Sequence, residues 1–236
     1  MVKGKQFTSF RDTGDPVFAA RIYNAQFVDE LIFLDINATN DGRETDFKVI
    51  ENVSKECFMP LTIGGGIKSV SEIRKLLEVG ADKVVINTAA YTDLKLISSA
   101  ANDFGSQCVI VGIDVKYIDG EYKLFSNCGQ VRQDVSLKEH LENVTIAGAG
   151  EIFINSIDCD GMMKGYDDEL IKLVMSLTSL PVIACGGAGN LMHLVDTFKN
   201  TEVGALAMAS IYHFGDNNPV RARSYLKNQD INIKAV

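Results

Sequence analysis

From residue 30 onward, short apolar runs alternate with longer stretches whose apolar positions recur at helical spacing. The runs lie at 30–36, 60–63, 82–87, 107–114, 151–157, 180–185 and 204–209. Each is short, β-branched and bounded by turn residues, as buried strands are. Helical periodicity marks 15–27, 44–58, 69–79, 92–104, 134–147, 168–178, 190–199 and 217–227. Strands alternating with helices at this spacing make βαβ units on a parallel sheet. No linker or composition break divides the chain, so the pattern predicts one domain over 1–236.

The pattern is one strand short. The helix at 15–27 has no strand before it, and "MVKGKQF" reads as a short β arm with a turn at Lys3-Gly4. A closed (β/α)8 barrel needs eight strands, so the first is expected upstream of Met1. Half a chain apart, the sequence echoes itself. "MPLTIGGGIKS" returns as "LPVIACGGAGN", "ELIFLDINATN" as "EIFINSIDCDG", and "KVVINTAAY" as "ALAMASIYH". Duplication within a strand–helix alternation predicts a TIM barrel of two related half-barrels.

Three consecutive glycines, Gly64 to Gly66, follow the strand at 60–63, and Gly186-Gly187 follow its echo. In parallel barrels the loops after strands carry function. Glycines there serve as plain tight turns or as bare backbone for an anion. Each pair is followed, one strand later, by small residues at a helix start: Asn87-Thr88 and Ala209-Ser210. Two copies of the arrangement imply two phosphate sites across one barrel mouth, and hence a substrate phosphorylated at both ends. Asp114 ends its strand and Asp160 lies just past the repeated one; both point at the space between the two sites and suit general acid–base work, although such aspartates also cap helices. Asp35 and Asp158 read as structural.

At the opposite strand ends the alternation of faces places Lys83 below Asn87, with Glu30 and Glu151 at the same level. Charged residues at strand starts are commonly solvated; three of opposite sign on one inner face also make a buried ring, stable only if paired.

Composition narrows the classes. A net charge of −8 argues against nucleic acid as the main partner. There is no apolar run of membrane-spanning length and no signal peptide. Five scattered cysteines form neither a disulfide framework nor a zinc-ligand spacing, so a reducing cytoplasm is expected, with no metal and no cofactor. His140, His193 and His213 read as structural.

The ordered motifs "FRDTGDPVFAARIY", "DELIFLDINAT", "PLTIGGGIKSV", "GADKVVINTAA", "FGSQCVIVGIDVK", "GAGEIFINSIDCDG", "GYDDEL", "PVIACGGAGN" and "ASIYHFG" resemble the cyclase subunit of imidazole glycerol phosphate synthase nearly end to end. The resemblance implies a (β/α)8 barrel that takes ammonia from a partner glutaminase and adds it to a ribulosyl bisphosphorylated substrate. The products are imidazole glycerol phosphate and an aminoimidazole carboxamide ribotide. By motif, Gly65, Gly66, Asn87 and Thr88 match one phosphate site. Gly161, Gly186, Gly187, Ala209 and Ser210 match the other. Asp114 and Asp160 match the acids, with Asp160 the general acid–base, and Glu30, Lys83 and Glu151 match an ammonia gate.

The chain also departs from the family. A catalytic aspartate and a gate arginine of the family's first strand are absent. "SNCGQVRQDV" lacks a Thr-Gly pair, Asn155 and Met162 replace threonines, and Cys159 and Cys185 replace polar residues. A paralogue in surface-polysaccharide clusters shares such departures; it feeds ammonia to an enzyme making acetamidino sugars. A phosphate-sugar isomerase on the same scaffold would need no charged floor.

Overall fold

The computed structural model describes residues 1–234. Its strands are β1 (Val2–Lys5), β2 (Thr8–Asp12), β3 (Leu31–Leu34), β4 (Leu61–Gly64), β5 (Lys83–Ile86), β6 (Val109–Ile118), β7 (Glu121–Ser126), β8 (Val131–Arg132), β9 (Glu151–Ser156), β10 (Val182–Cys185) and β11 (Ala205–Ala207). The main sheet runs β11-β10-β9-β6-β5-β4-β3, and every neighbouring pair along it is parallel. All seven strands expected from the apolar runs are present, in chain order around a curled half-barrel sheet. Among the described residues β3 and β11 are its two edges.

Helices cover the outer face because each βα unit returns its chain over the sheet. Their starts are specified locally. Asp15, Asp46, Asp93, Ser136, Asp167, Asn190 and Asn218 each accept a first-turn backbone N–H. Ser69 and Glu72 form a reciprocal capping box on the helix Val70–Glu78. Between helices and sheet lies the main apolar core, with Ile50, Ile63, Ile73, Leu76, Ile86, Ile97 and Ile152 fully buried. Burying each such side chain contributes about 1.5–3 kcal/mol before the cost of ordering it. The inner face has its own smaller cluster: Val85, Ile110, Phe153 and Ile183, flanked by Ile32, Ala205 and Ala207.

Two features are additional to the expected alternation. Strand β6 continues to Ile118 and turns back as β7, pairing antiparallel from Asp114↔Phe125 to Ile118↔Glu121. The turn is Asp119-Gly120, both at positive φ, which is what a two-residue hairpin requires. The N-terminal arm is a hairpin, β1 with β2. It folds back over the C-terminal ends of the barrel strands, where Gln6 N–H donates to Asp160 O at 2.8 Å. The helix read from 92 is also two: a short turn Thr88–Thr92, then Leu94–Phe104. No helix among the described residues is long and apolar enough to cross a membrane.

Candidate active site

One large cleft runs along the inner face of the sheet, from Glu30 and Glu151 at the strand starts to Asp114 and Asp160 at their ends. Its floor is the expected charged cluster. Lys83 Nζ contacts Glu151 Oε1 at 2.8 Å and Glu30 Oε2 at 3.2 Å. The lysine side chain is 17% exposed. Burial alone would lower its pKa; hydrogen bonds and charge from the two glutamates outweigh that and hold it above its ordinary value. Above this cluster comes the apolar layer of Ile32, Val85, Ile110, Phe153 and Ile183, two residues further along each strand. Period-2 alternation therefore builds the layers: charge, then apolar wall, then polar mouth.

In the mouth Asp114 stands in β6 between the buried Ile113 and Val115. Its pKa is raised to about 7, first by burial and then by the nearby Asp160 charge, against the opposing hydrogen bonds of Asn87 and Asn155. Asn87 Nδ2 donates to Asp114 Oδ2 at 3.0 Å. A carboxyl with this proton affinity exchanges protons near neutral pH. Asp160, 6% exposed, sits in the turn after β9 and forms an ion pair with Lys3 Nζ at 2.5 Å. Lys3 was not among the residues expected from the sequence. Its signal is weak, because β1 reaches the mouth only by a fold-back that its own sequence does not encode.

The two glycine loops lie in corresponding places. Gly65, Gly66, Gly186 and Gly187 all have positive φ. Asn87-Thr88 leads into the short helix Thr88–Thr92, and Ala209-Ser210 into Ser210–His213, so the duplication extends to the helix starts. Thr88 Oγ1 accepts from Asn127 N–H at 3.2 Å, which leaves its own O–H to donate. Ser210 Oγ is buried with no partner among the described residues. Gly65, Gly66, Asn87 and Thr88 line the large cleft; Gly161, Gly186, Gly187, Ala209 and Ser210 line a smaller recess beside it, with Lys3 and Asp160 shared by both. Gly161 lies against the hairpin: a Cβ there would meet Gly4 O at 2.1 Å.

The remaining candidates have local duties. Asp35 accepts from both terminal guanidinium nitrogens of Arg43, at 2.7 and 2.8 Å. Asp158 accepts Tyr117 N–H at 2.8 Å. His140 is buried and stacked on Tyr91, with ring centroids 4.1 Å apart, and burial lowers its pKa to about 4. His193 closes the turn at Asn190, and His213 packs edge-on to Tyr23.

Asp114 gives a sign-definite stability prediction. Its folded pKa lies above the unfolded value of about 3.9, so it favours the fold at low pH and that contribution is lost as pH rises through about 7. The Tm of Asp114→Asn relative to wild type should therefore increase between pH 4 and pH 8. Thermal unfolding at both pH values checks this; a difference that stays flat or falls refutes the buried, proton-retaining carboxyl.

Comparison with known proteins shows the family. Residues 1–218 match the family model described as histidine biosynthesis protein. The imidazole glycerol phosphate synthase subunit HisF of Bacillus pumilus (strain SAFR-032) is 40% identical over 236 residues, covering 99% of this chain and 94% of that protein. With a match that spans both glycine loops, both mouth aspartates and the charged floor, the chain belongs to the histidine biosynthesis protein family, as a relative of the HisF subunit.

Proposed function

We propose that the chain is the cyclase subunit of an imidazole glycerol phosphate synthase. Ammonia from a partner glutaminase adds to a ribulosyl bisphosphorylated aminoimidazole carboxamide, giving imidazole glycerol phosphate and the carboxamide ribotide. One observation carries the reading: Asp114 and Asp160 share a mouth flanked by two duplicated glycine loops, above an apolar passage that starts at the Lys83 cluster.

In this reading the phosphate ends lie on Gly65, Gly66, Asn87 and Thr88 at one side and on Gly161, Gly186, Gly187, Ala209 and Ser210 at the other. Backbone N–H groups and a hydroxyl at each suit an oxyanion. Asp160 takes and returns protons as the new carbon–nitrogen bond forms and the imidazole ring closes. Asp114, titrating near 7, serves as its counterpart. The Lys3 ammonium holds Asp160 in place and faces the developing negative charge.

Ammonium salt with the bisphosphorylated substrate, and no glutaminase, tests the chemistry. Turnover is expected; its absence ends the cyclase reading. The second reading, a paralogue delivering ammonia to a sugar amidotransferase, would then stand. It is favoured by Asn155 and Cys185 in the mouth and by the β7–β8 hairpin that occupies 121–132.

Glu30, Lys83 and Glu151 act as the gate. Lys83→Ala leaves two like charges unpaired at the passage entrance, a costly arrangement that draws in water or cations. Ammonium-dependent turnover should stay within about twofold of wild type, while glutamine-dependent turnover with the partner falls by about tenfold, the size of effect set by about 1.4 kcal/mol. Equal losses in both assays would remove the gate role.

A further inference from the structure

The side chain that donates to Asp114 sits on a short turn. Asn87 Nδ2 reaches Asp114 Oδ2 at 3.0 Å, and Asn87 leads directly into the helix Thr88–Thr92. Five residues make too short a helix to hold itself, and no side chain caps this one. Its position therefore comes from its contacts. Thr88 Oγ1 accepts from Asn127 N–H, and Ala90 is buried. Tyr91 carries the one large side chain of the turn. Its ring lies flat on His140, with centroids 4.1 Å apart and planes 11° from parallel. His140 is 2% exposed and belongs to the helix Leu137–Ala147, which is anchored by buried Leu137, Leu141 and Val144.

Hydrogen bonding does not account for this ring pair. Tyr91 OH and His140 Nε2 are both buried without a partner among the described residues, a destabilising arrangement. What the pair supplies is shape: a flat ring held on one face has few rotamers left, so the turn behind it cannot rotate. The other half of the chain repeats the device with the partners exchanged. The echo that aligns "KVVINTAAY" with "ALAMASIYH" sets Tyr91 opposite His213. His213 ends the turn Ser210–His213 and packs edge-on to Tyr23 of the helix Pro16–Ala25, at 6.2 Å between centroids.

We propose that His140 is a positioning residue for Asp114: stacked on Tyr91, it fixes the turn 87–92 so that Asn87 keeps its donor on the Asp114 carboxyl. The consequence for turnover rests on the mouth being the reaction site. The groups facing Asp114 are Asp160 with Lys3 on it, Tyr91, Cys128 and Cys185. Burial keeps both thiols and the phenol protonated at neutral pH and keeps the His140 ring uncharged there. Replacing either ring thus changes no charge near Asp114, and the effect is read through Asn87.

Four variants test the brace. His140→Ala removes the ring, Tyr91→Leu removes its partner while keeping apolar bulk, and His140→Phe restores a flat ring without nitrogen. Asn87→Ala removes the donor itself. Asp114 is titrated by carboxyl carbon NMR in ligand-free protein from pH 5 to 9, with circular dichroism as the check on folding. Asn87 donates to the charged form, so its loss should raise the proton affinity of Asp114 by about tenfold. His140→Ala and Tyr91→Leu should each raise it by about three- to tenfold, and His140→Phe should stay within about twofold of wild type. Adding His140→Ala to Asn87→Ala should raise it no further, because the route runs through Asn87. An unmoved midpoint in either folded stack variant, or additive shifts in the double variant, overturns the brace. With ammonium and substrate, the limb of the pH–kcat profile carried by Asp114 should move by the same factor in His140→Ala and return in His140→Phe; a limb that stays in place overturns the role in turnover. The NMR titration needs no turnover, so a wild type that does not cyclise refutes the proposed function and still leaves the brace decided.

Discussion

Asp160→Asn should reduce ammonium-dependent cyclisation by on the order of 10²-fold or more, the loss expected when a general acid–base group is removed. The substitution keeps the size and shape of the side chain, and the backbone of Asp160 is held independently of it. Its N–H donates to Ser156 O at 2.9 Å, and its carbonyl accepts from Gln6 N–H. What changes is the charge opposite Lys3 and the capacity to move a proton. Far-UV spectra should therefore match wild type while turnover collapses. Asp158→Asn is the internal control. That carboxylate lies two residues away and accepts Tyr117 N–H at the β6–β7 hairpin, so its loss should affect stability and leave kcat within about twofold. Wild-type turnover in Asp160→Asn would remove this residue from the chemistry, and parallel losses in the two variants would point to a loop defect.

Gly187→Val should be the most damaging change at a phosphate loop. Gly187 has φ +116°, a conformation that β-branched residues rarely adopt. A Cβ on it would stand 1.9 Å from Gly165 O and 2.6 Å from the carbonyl carbon. The obstacle is backbone, and the Gly165 N–H donates to Gly187 O at 2.9 Å, so neither strand of the contact can retreat without breaking it. Strain and clash together should lower stability by about 3 kcal/mol or more, read as the urea midpoint. Inorganic phosphate should also lose its affinity for the recess lined by Gly186, Gly187 and Ser210, while the Gly65 and Thr88 side is retained. A variant with wild-type stability and two intact phosphate sites would show that the loop adapts and that its glycine is dispensable.

Much of this was written locally. Apolar runs of strand length between amphipathic stretches specify the parallel sheet, and the period of two along each strand specifies its layers. Once Asn87 faces the mouth, Lys83 must face the floor, and the observed Lys83–Glu151 and Lys83–Glu30 contacts follow. The glycine pairs with their paired helix starts were legible because a duplication repeats them. The Asp119-Gly120 hairpin was legible in principle: this dipeptide between alternating residues is a strong turn signal, overshadowed by the run at 107–114 ending in Asp114.

Sequence alone therefore determined the fold class, the two glycine loops and the assignment of charges to floor or mouth, because these depend on backbone conformation and on positions a few residues apart. Tertiary structure decided which groups meet. Lys3 reaches Asp160 across 157 positions of chain because the β1–β2 hairpin folds over the barrel mouth. Asn155 meets Asp114 because β9 pairs with β6 in one register. The proton affinity of Asp114 arises from burial and from the Asp160 charge, neither of which exists until those strands assemble. Periodicity fixes the face on which a side chain stands, whereas its partners and its dielectric surroundings are properties of the assembled sheet.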